Sequence, residues 1–201
     1  MYITVTNYKG GVGKTTTAVH LAAYFQRLAP TVLIDGDPNR CATRWGETGR
    51  MPFAIVDREE GDYQARNYTH VIKDTEARPG LADFERLARG CDLLVIPAVP
   101  SRLDIEALKL TIAALRTVGT DHYRILLTKV PPPPENDGAE LRKLLTAAKT
   151  PIFRAEIPRL KAFEHATAQG VPVYEVHDPR AARAWEAYES AGREITNERK
   201  K

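Results

Sequence analysis

The sequence predicts an α/β fold with a mainly parallel, twisted sheet and helices on both faces. Short apolar runs alternate with stretches of helical apolar period from one end of the 201-residue chain to the other. The run from Asp92 to Pro97 is almost entirely apolar, which is typical of a strand that is covered on both faces. No internal repeat or break in composition divides the chain, so we expect residues 1–201 to form one domain.

The N-terminal half supplies the first four predicted strands. Each is a short run rich in apolar and β-branched residues. Between them, the apolar period of residues 18–28 and the polar stretch 41–48 predict two helices. The predicted strands are residues 2–6, 31–34, 53–56 and 69–74.

The C-terminal half continues the alternation. Gly90 lies just beyond a predicted helix, where glycine commonly ends helices. The prolines at 131–134 cannot continue a strand, because proline offers no donor to the ladder. The predicted strands are residues 92–97, 123–128 and 152–157, and the predicted helices are residues 81–88, 103–118, 139–148, 160–169 and 180–196.

Composition and charge place few limits on function. The net charge of +3 and the pI near 8.8 permit contact with nucleic acid or anionic lipid but do not by themselves indicate it. Cys41 and Cys91 form neither a metal-binding spacing nor a disulfide framework. The sequence shows no signal segment and no apolar run long enough to span a membrane, so we expect a soluble, cytoplasmic protein.

A glycine-rich stretch, Tyr8–Thr16, lies between the first predicted strand and the first predicted helix. A phosphate-binding loop requires this context, because backbone amides and the helix N-terminus close around phosphate oxygens. In such a loop Lys14 reaches the β- and γ-phosphates, and the Thr15 hydroxyl binds Mg²⁺. The predicted phosphate-binding residues are Gly10, Gly11, Val12, Gly13, Lys14, Thr15 and Thr16.

The stretch departs from the usual G-x-x-x-x-G-K-[ST] pattern near its start. Tyr8 stands at the first glycine position, and a second lysine, Lys9, follows it. The string K-G-G-V-G-K-T-T resembles the deviant Walker A loop of the ParA/MinD family of ATPases. The resemblance implies a P-loop NTPase that uses ATP and Mg²⁺ and forms an ATP-dependent homodimer, in which Lys9 acts on the nucleotide of the partner copy.

Three aspartates follow predicted strands. Ligands lie at the carboxyl ends of parallel strands, so we expect Asp35, Asp37 and Asp74 near the loop, with Asp74 as the magnesium acid. Residues 35–39 resemble the D-x-D-P-Q segment of ParA proteins, with Asn39 where glutamine is usual. The resemblance implies that Asp37 positions or activates the attacking water and that Asp35 supports the hydration shell of Mg²⁺.

Further segments extend the resemblance over nearly the whole chain. Residues 74–78 resemble the family's switch after its Walker B strand, although Glu76-Ala77-Arg78 departs from the usual D-T-P-P or D-G-x-G. Residues 92–101 and 169–174 resemble the family's A-D-hhhh-P-h-x-P-S and G-x-P-V segments. The resemblance also implies an adenine pocket, which we expect at Thr128, Lys129, Pro158 and Arg159.

Two branches of the family differ in what they bind. MinD-like members bind membrane through a C-terminal amphipathic helix, and ParA-like members bind nonspecific DNA through basic residues of the dimer. Here the last predicted helix has a mostly alanine face and several glutamates, so we expect it to pack on the domain rather than on a membrane. Basic residues of the final third could contact DNA phosphates regardless of base sequence; the candidates are Arg154, Lys161, Arg180 and Arg183.

The predicted function is an ATP-dependent, dimerising ATPase that binds nonspecific DNA on the nucleoid. With a ParB-like adaptor it would position or segregate a plasmid, a chromosome or a protein assembly, and the sequence leaves the cargo open. The alternatives are a MinD-like membrane-associated ATPase and a metabolic P-loop enzyme of the dethiobiotin synthetase type. An iron protein of the nitrogenase type is disfavoured, because Cys41 and Cys91 do not match its paired cysteines at the dimer seam.

Overall fold

The structure of the chain is a computed structural model, and it describes residues 1–77 and 79–198. Arg78, which belongs to the predicted switch segment, therefore lies outside the described residues. The described part of the chain forms seven strands. They are β1 (Tyr2–Val5), β2 (Thr31–Gly36), β3 (Ala54–Asp57), β4 (His70–Thr75), β5 (Leu93–Ala98), β6 (Tyr123–Val130) and β7 (Ile152–Pro158).

Helices connect the strands, and each predicted helix is present within a few residues of its expected bounds. They are α1 (Lys14–Gln26), α2 (Cys41–Gly46), α3 (Arg58–Gln64), α4 (Leu81–Arg89), α5 (Arg102–Val118), α6 (Asp137–Ala147), α7 (Ala162–Gln169) and α8 (Ala181–Glu198), with short 3₁₀ turns at Ala65–Asn67 and Val173–Glu175.

Helix α3 was not predicted from the sequence. This helix begins after Asp57, whose side chain accepts a hydrogen bond from the Glu60 amide at 2.9 Å and so caps the first turn. Its sequence has no apolar helical period, and it contains Gly61. Because the prediction relied on that period, a short and mostly polar helix gave no signal.

The strands form one sheet in the order β3-β2-β4-β1-β5-β6-β7, and every neighbouring pair is parallel. The strand order reverses at β1, which lies between β4 and β5. A reversal of this kind opens a crevice at the carboxyl ends of the strands, where ligands of such folds bind. The glycine-rich stretch follows β1 directly and therefore lies in that crevice.

Helices cover both faces of the sheet, which confirms the predicted fold class. On one face α1, α2, α7 and α8 pack around a buried cluster that includes Phe25, Trp45 and Tyr188. On the other face α4, α5 and α6 pack around Phe84 and Leu115. Neighbouring residues of one strand point to opposite faces, as expected for a strand that is covered on both sides.

The last helix, α8, packs on the domain. Its apolar face is buried against α1 and β7 and consists of Ala181, Ala184, Trp185, Tyr188 and Ile195, which are at most 7% exposed. Among the described helices, none combines the length and the apolar character that a membrane crossing requires.

Candidate functional site

The glycine-rich loop has the backbone that phosphate binding requires. Gly11 and Gly13 have φ angles of +76° and +88°, a left-handed backbone conformation that residues with a Cβ rarely adopt. Tyr8, the residue at the first glycine position, stacks on Phe84 of α4 with ring centroids 5.3 Å apart. The departure from the usual pattern is therefore a packing contact that anchors the start of the loop to one face of the sheet.

Lys14 is the buried lysine of the loop. It is 7% exposed, and its Nζ donates a hydrogen bond to the Lys9 carbonyl oxygen at 3.1 Å. Burial lowers the pKa of Lys14, and the neighbouring carboxylates of Asp74 and Asp37 act in the opposite direction. The ammonium group thus lies inside the crevice, held by the backbone of its own loop.

Asp74 lies next to the start of α1. The Thr15 hydroxyl donates to Asp74 Oδ2 at 2.6 Å, and the Asp74 side chain is fully buried. Burial raises the pKa of Asp74 to about 7; the Thr15 hydrogen bond acts to lower it, and the charge of Asp35 acts to raise it. A divalent cation at this position would favour the ionised carboxylate.

Asp35 lies beside Asp74 in the register of β2 and β4. Its Oδ2 accepts hydrogen bonds from the Thr43 amide and hydroxyl, both at 2.8 Å, and its Oδ1 accepts from the Asp37 amide at 3.2 Å. The next residue must be glycine, since a Cβ on Gly36 would lie 2.8 Å from the Asp74 carbonyl oxygen. Sequence reasoning missed Thr43, because nothing in the local pattern links it to Asp35.

Asp37 is half-buried and lies close enough to Lys14 for its charge to act on that lysine. Its Oδ1 accepts hydrogen bonds from the Asn39 amide at 2.9 Å and from the Asn39 side chain at 3.0 Å. Asn39, which replaces the glutamine usual in ParA proteins, therefore orients the Asp37 carboxylate. Such a fixed acceptor can position a water molecule.

The oxygen atoms around Thr15 fit a magnesium ion that retains several waters. Among residues 1–77 and 79–198, no three His, Cys, Asp or Glu side chains come together as a metal-binding group. Mg²⁺ commonly takes one or two protein oxygens and completes its shell with water and nucleotide phosphates. Thr15 and Asp74 offer such a pair, and Asp35, whose oxygens already accept hydrogen bonds, is suited to contacting the hydration shell.

Lys9, the second lysine of the loop, contacts an aspartate on another element of the chain. Its Nζ forms an ion pair with Asp104 Oδ1, near the start of α5, and its amide donates to Asn7 Oδ1 at 3.0 Å. The Lys9 side chain is 35% exposed, whereas that of Asp104 is 13% exposed. Asp104 also accepts a hydrogen bond from the Ser101 hydroxyl. Asp104 was not among the site residues predicted from the sequence.

A cavity of about 330 Å³ adjoins the loop. All four residues predicted for the adenine pocket line it, together with Gly13, Thr16, Phe163 and Tyr188. Thr128 and Lys129 also hold the loop itself, because their side chains donate to the Val12 and Gly11 carbonyl oxygens at 2.8 and 2.7 Å. Sequence reasoning missed Phe163 and Tyr188, which come from the distant helices α7 and α8.

The four predicted DNA-contacting residues are all exposed, and two of them line the same groove. Arg180 and Arg183 line a groove of about 710 Å³ between α8 and the proline-rich loop, as does Arg159. Arg159 is paired with Glu135 at 2.8 Å. Arg154 and Lys161 lie outside the lining of this groove.

These features define a P-loop nucleotide-binding protein: a glycine loop at the sheet reversal, a buried lysine, and a hydroxyl hydrogen-bonded to a strand-end carboxylate. Residues 3–173 match the family described as the CobQ/CobB/MinD/ParA nucleotide binding domain. The chain belongs to this family, which confirms the resemblance to ParA and MinD proteins.

Known proteins from both branches of the family resemble the chain. It is 31% identical over 207 residues to the maintenance of carboxysome distribution protein A of Gloeobacter kilaueensis, covering 99% of this chain and 95% of that protein. Its fold matches a putative plasmid partition protein of Borrelia burgdorferi B31 bound to AMPPNP, with a TM-score of 0.75, 16% identity and 98% coverage of both chains. It also matches the MinD cell division protein of Aquifex aeolicus, with a TM-score of 0.76, 16% identity and coverage of 98% and 96%. The two structural matches establish the fold alone.

Proposed function

We propose that this chain is an ATPase of the ParA type that dimerises on Mg²⁺-ATP and positions a large intracellular cargo. The observation that carries the proposal is the arrangement of two lysines in one loop. Lys14 is buried in the crevice, whereas Lys9 is partly exposed and points to the start of α5. A P-loop site requires only the buried lysine, so the second lysine is available for another copy.

Hydrolysis would use the residues around the loop in separate roles. The amides of residues 10–13 and the Lys14 ammonium would bind the phosphates, since both present fixed positive charge to them. Thr15, Asp74 and Asp35 would hold Mg²⁺, which neutralises charge on the β- and γ-phosphates. Asp37 would orient the water that attacks the γ-phosphorus, and ADP and phosphate would leave.

The second lysine would complete the site across a dimer. Lys9 would exchange its ion pair with Asp104 for the phosphates of the partner's nucleotide. A positive charge supplied in this way can raise the rate of hydrolysis by roughly 10³–10⁵. Dimerisation would then depend on ATP, because the phosphates provide the contact that replaces Asp104.

Base recognition would take place in the cavity beside the loop. The cavity would accept adenine beside Pro158, Phe163 and Tyr188, with Thr128, Lys129 and Arg159 also in its lining. Apolar walls with a few polar groups are the usual form of a nucleotide-base site. Residues 1–201 would act as a single domain in this reaction.

DNA and an adaptor would link the ATPase to its cargo. Arg180 and Arg183 in their groove, with Arg154 and Lys161 outside its lining, would contact DNA phosphates without reading bases. The buried apolar face of α8 favours this reading over a membrane-attached helix. The relative from Gloeobacter kilaueensis maintains carboxysome distribution, as its name states, and we propose a protein assembly as the cargo and a ParB-like adaptor as the activator.

Co-sedimentation with DNA and with anionic liposomes tests the proposal. The chain would be mixed with plasmid-length DNA or vesicles in the presence of ATP, ADP or no nucleotide. We expect ATP-dependent sedimentation with DNA that weakens steeply as salt rises from about 50 to about 200 mM, because binding releases counterions. Binding to liposomes but not to DNA would instead assign the MinD-like alternative.

A further inference from the structure

Helices α5 and α6 lie on the same face of the sheet and leave an apolar groove between them. The groove, called here the α5–α6 groove, has a volume of about 490 Å³. Its walls include Ile105, Leu108 and Ile112 from α5 and Leu141, Leu144 and Leu145 from α6. It shares no lining residue with the cavity beside the glycine loop, and none of its lining residues has a role in the proposed nucleotide site.

The groove combines a buried floor with an exposed apolar rim. Leu108 and Leu141 are 3% and 2% exposed, so they belong to the core and fix the positions of the two helices. Leu144, by contrast, is 59% exposed and projects from α6 at the groove edge. On the surface of a soluble protein, an apolar cavity with an exposed leucine beside it is a site where a partner's apolar side chains can be buried.

The charges on the groove wall have one sign. Lys109 and Arg116 line the groove, and no carboxylate does so among the described residues. The two cations are two turns apart on α5, about 10 Å along the helix axis. Lys109 contacts Glu106 at 2.7 Å, but both side chains are largely exposed, and such surface pairs hold their partners weakly.

We propose that the α5–α6 groove binds an amphipathic helix of the adaptor, with a leucine-rich face and acidic residues about two turns apart. Grooves between two helices accept helical segments whose apolar residues recur at helical spacing. Acidic residues at that separation match Lys109 and Arg116. The identity of the partner as the adaptor rests on the proposed function, whereas the chemistry of the bound helix follows from the groove.

The position of the groove gives its occupant access to the loop. Ile105 in the groove wall directly follows Asp104, which holds Lys9. A helix bound in the groove would contact Ile105 in the first turn of α5, next in sequence to the residue that holds Lys9. Adaptor binding and the release of Lys9 therefore involve the same short segment.

A synthetic peptide tests the proposal on the full chain. The probe is a labelled amphipathic helix of about 18 residues, with leucines at helical spacing and glutamates two turns apart; a second peptide carries lysines instead. Fluorescence anisotropy measures binding of each peptide to the chain and to its variants. We expect the acidic peptide to bind and the basic peptide to bind at least about tenfold more weakly.

Substitutions at exposed positions identify the surface. Leu144→Glu should weaken binding of the acidic peptide at least about tenfold. Leu110→Glu is the matched control, because Leu110 is 67% exposed on α5 but does not line the groove. The affinity of this variant for the acidic peptide should equal that of the unmodified chain. Arg116→Glu should weaken the acidic peptide and strengthen the basic one, which a merely structural effect would not do.

Three outcomes would overturn the proposal. The first is absence of peptide binding, and the second is equal weakening by Leu144→Glu and Leu110→Glu. The third is a change in the sedimentation coefficient of the peptide-free chain caused by Leu144→Glu, which would make the groove an interface between copies. Binding of a fluorescent ATP analogue to Leu144→Glu shows that the variant is folded. Because peptide binding needs neither hydrolysis nor DNA, its result is separate from that of the proposed function.

Discussion

Lys9 and Lys14 belong to the same loop but lie in opposite surroundings. Lys14 is 7% exposed and close to Asp74 and Asp37, and its Nζ donates a hydrogen bond to the Lys9 carbonyl oxygen. The Lys9 side chain is 35% exposed and paired with Asp104 on another element. The inner lysine is positioned by the fold of one chain, whereas the outer lysine is held by a contact that can be exchanged.

The difference in burial decides which contact can change. The Lys9 side chain is 35% exposed in its ion pair with Asp104, so a phosphate from another molecule can reach its ammonium group and compete with Asp104 for it. Removing the buried Lys14 ammonium would instead leave the neighbouring carboxylates without their cation, which is more costly. We therefore expect the contacts of Lys14 to persist in every state of the protein and the contact of Lys9 to change when a dimer forms.

Lys9→Ala gives the largest expected effect. The variant should lose ATP-dependent dimerisation, and its rate of ATP hydrolysis should fall by a factor of about 10³, because the charge supplied to the partner's phosphates is gone. Sedimentation velocity with and without ATP measures the first effect, and phosphate release measures the second. Binding of a fluorescent ATP analogue to the monomer should persist. A variant that still dimerises with ATP would show that Lys9 is not the exchanged contact.

Asp37→Asn should lower kcat by about 10²–10³ while leaving nucleotide binding intact, since only the positioning of the water is lost. Steady-state kinetics and a binding titration together separate the two effects. Asp83→Asn is a control of the same chemistry, because Asp83 forms an ion pair on the surface of α4. A parallel loss of nucleotide affinity in Asp37→Asn would instead place Asp37 among the binding residues.

His20 is a buried residue of α1 that links this helix to Val173, and we expect its titration to affect the stability of the fold. The ring is fully buried; Nε2 accepts from the Val173 amide at 3.1 Å, so Nδ1 donates to the Thr16 carbonyl at 2.7 Å. Burial lowers the pKa of His20 from 6.5 to about 4. Between pH 4 and pH 6.5 the unfolded chain binds more protons at this ring than the folded chain does. The contribution of His20 to the free energy of unfolding is therefore fully present above pH 6.5 and declines by about 3 kcal/mol as the pH falls toward 4.

Urea unfolding at a series of pH values tests this dependence. His20→Gln replaces the titrating ring with a neutral side chain, so its unfolding free energy should vary less than that of the unmodified chain between pH 6.5 and 4. If the two proteins show the same pH dependence over that range, the buried ring is not its source.

Lys14→Ala should weaken nucleotide binding by about 100-fold, because a charge-assisted contact to the phosphates is removed from a buried site. Isothermal titration with ATP and ADP measures the loss. Lys109→Ala lies outside the site and serves as the control. An affinity within a few-fold of the unmodified chain would contradict the division of roles between the two lysines.

Asp104→Asn gives the smallest effect, and its direction is opposite to that of Lys9→Ala. The substitution frees Lys9, so the ATP-dependent dimer should become tighter by about two- to fivefold, in keeping with the small contribution of a partly exposed ion pair. The dimer dissociation constant with a non-hydrolysable ATP analogue measures this. A weaker dimer would mean that Asp104 supports the dimer rather than competing with it.

The strands and the positions of the acidic residues at strand ends could be predicted from the sequence, because both are local features of the chain. Apolar runs marked all seven strands, and strand ends predicted Asp35 and Asp74 near the loop; the structure adds that they occupy paired positions on β2 and β4. Helix α3 was missed because it lacks an apolar period. The catalytic and binding roles themselves stay predictions until they are measured.

Contacts between distant segments could not be read from the sequence. The bond from Thr43 to Asp35, the ion pair between Lys9 and Asp104, and the approach of Phe163 and Tyr188 to the loop all depend on how helices pack on the sheet. Tyr8 is an instructive case, since it looked like a missing glycine and is a stacking partner of Phe84. Patterns along the chain give no account of such pairs.

The most direct test of the account is a mixture of Lys9→Ala and Asp37→Asn chains. In a mixed dimer, the nucleotide bound to the Lys9→Ala chain keeps Asp37 and receives Lys9 from the other copy. Each variant alone should be nearly inactive, and an equimolar mixture should recover a substantial share of the normal ATPase rate, since each mixed dimer holds one complete site. A mixture no more active than the two variants separately would contradict the claim that Lys9 acts across the dimer.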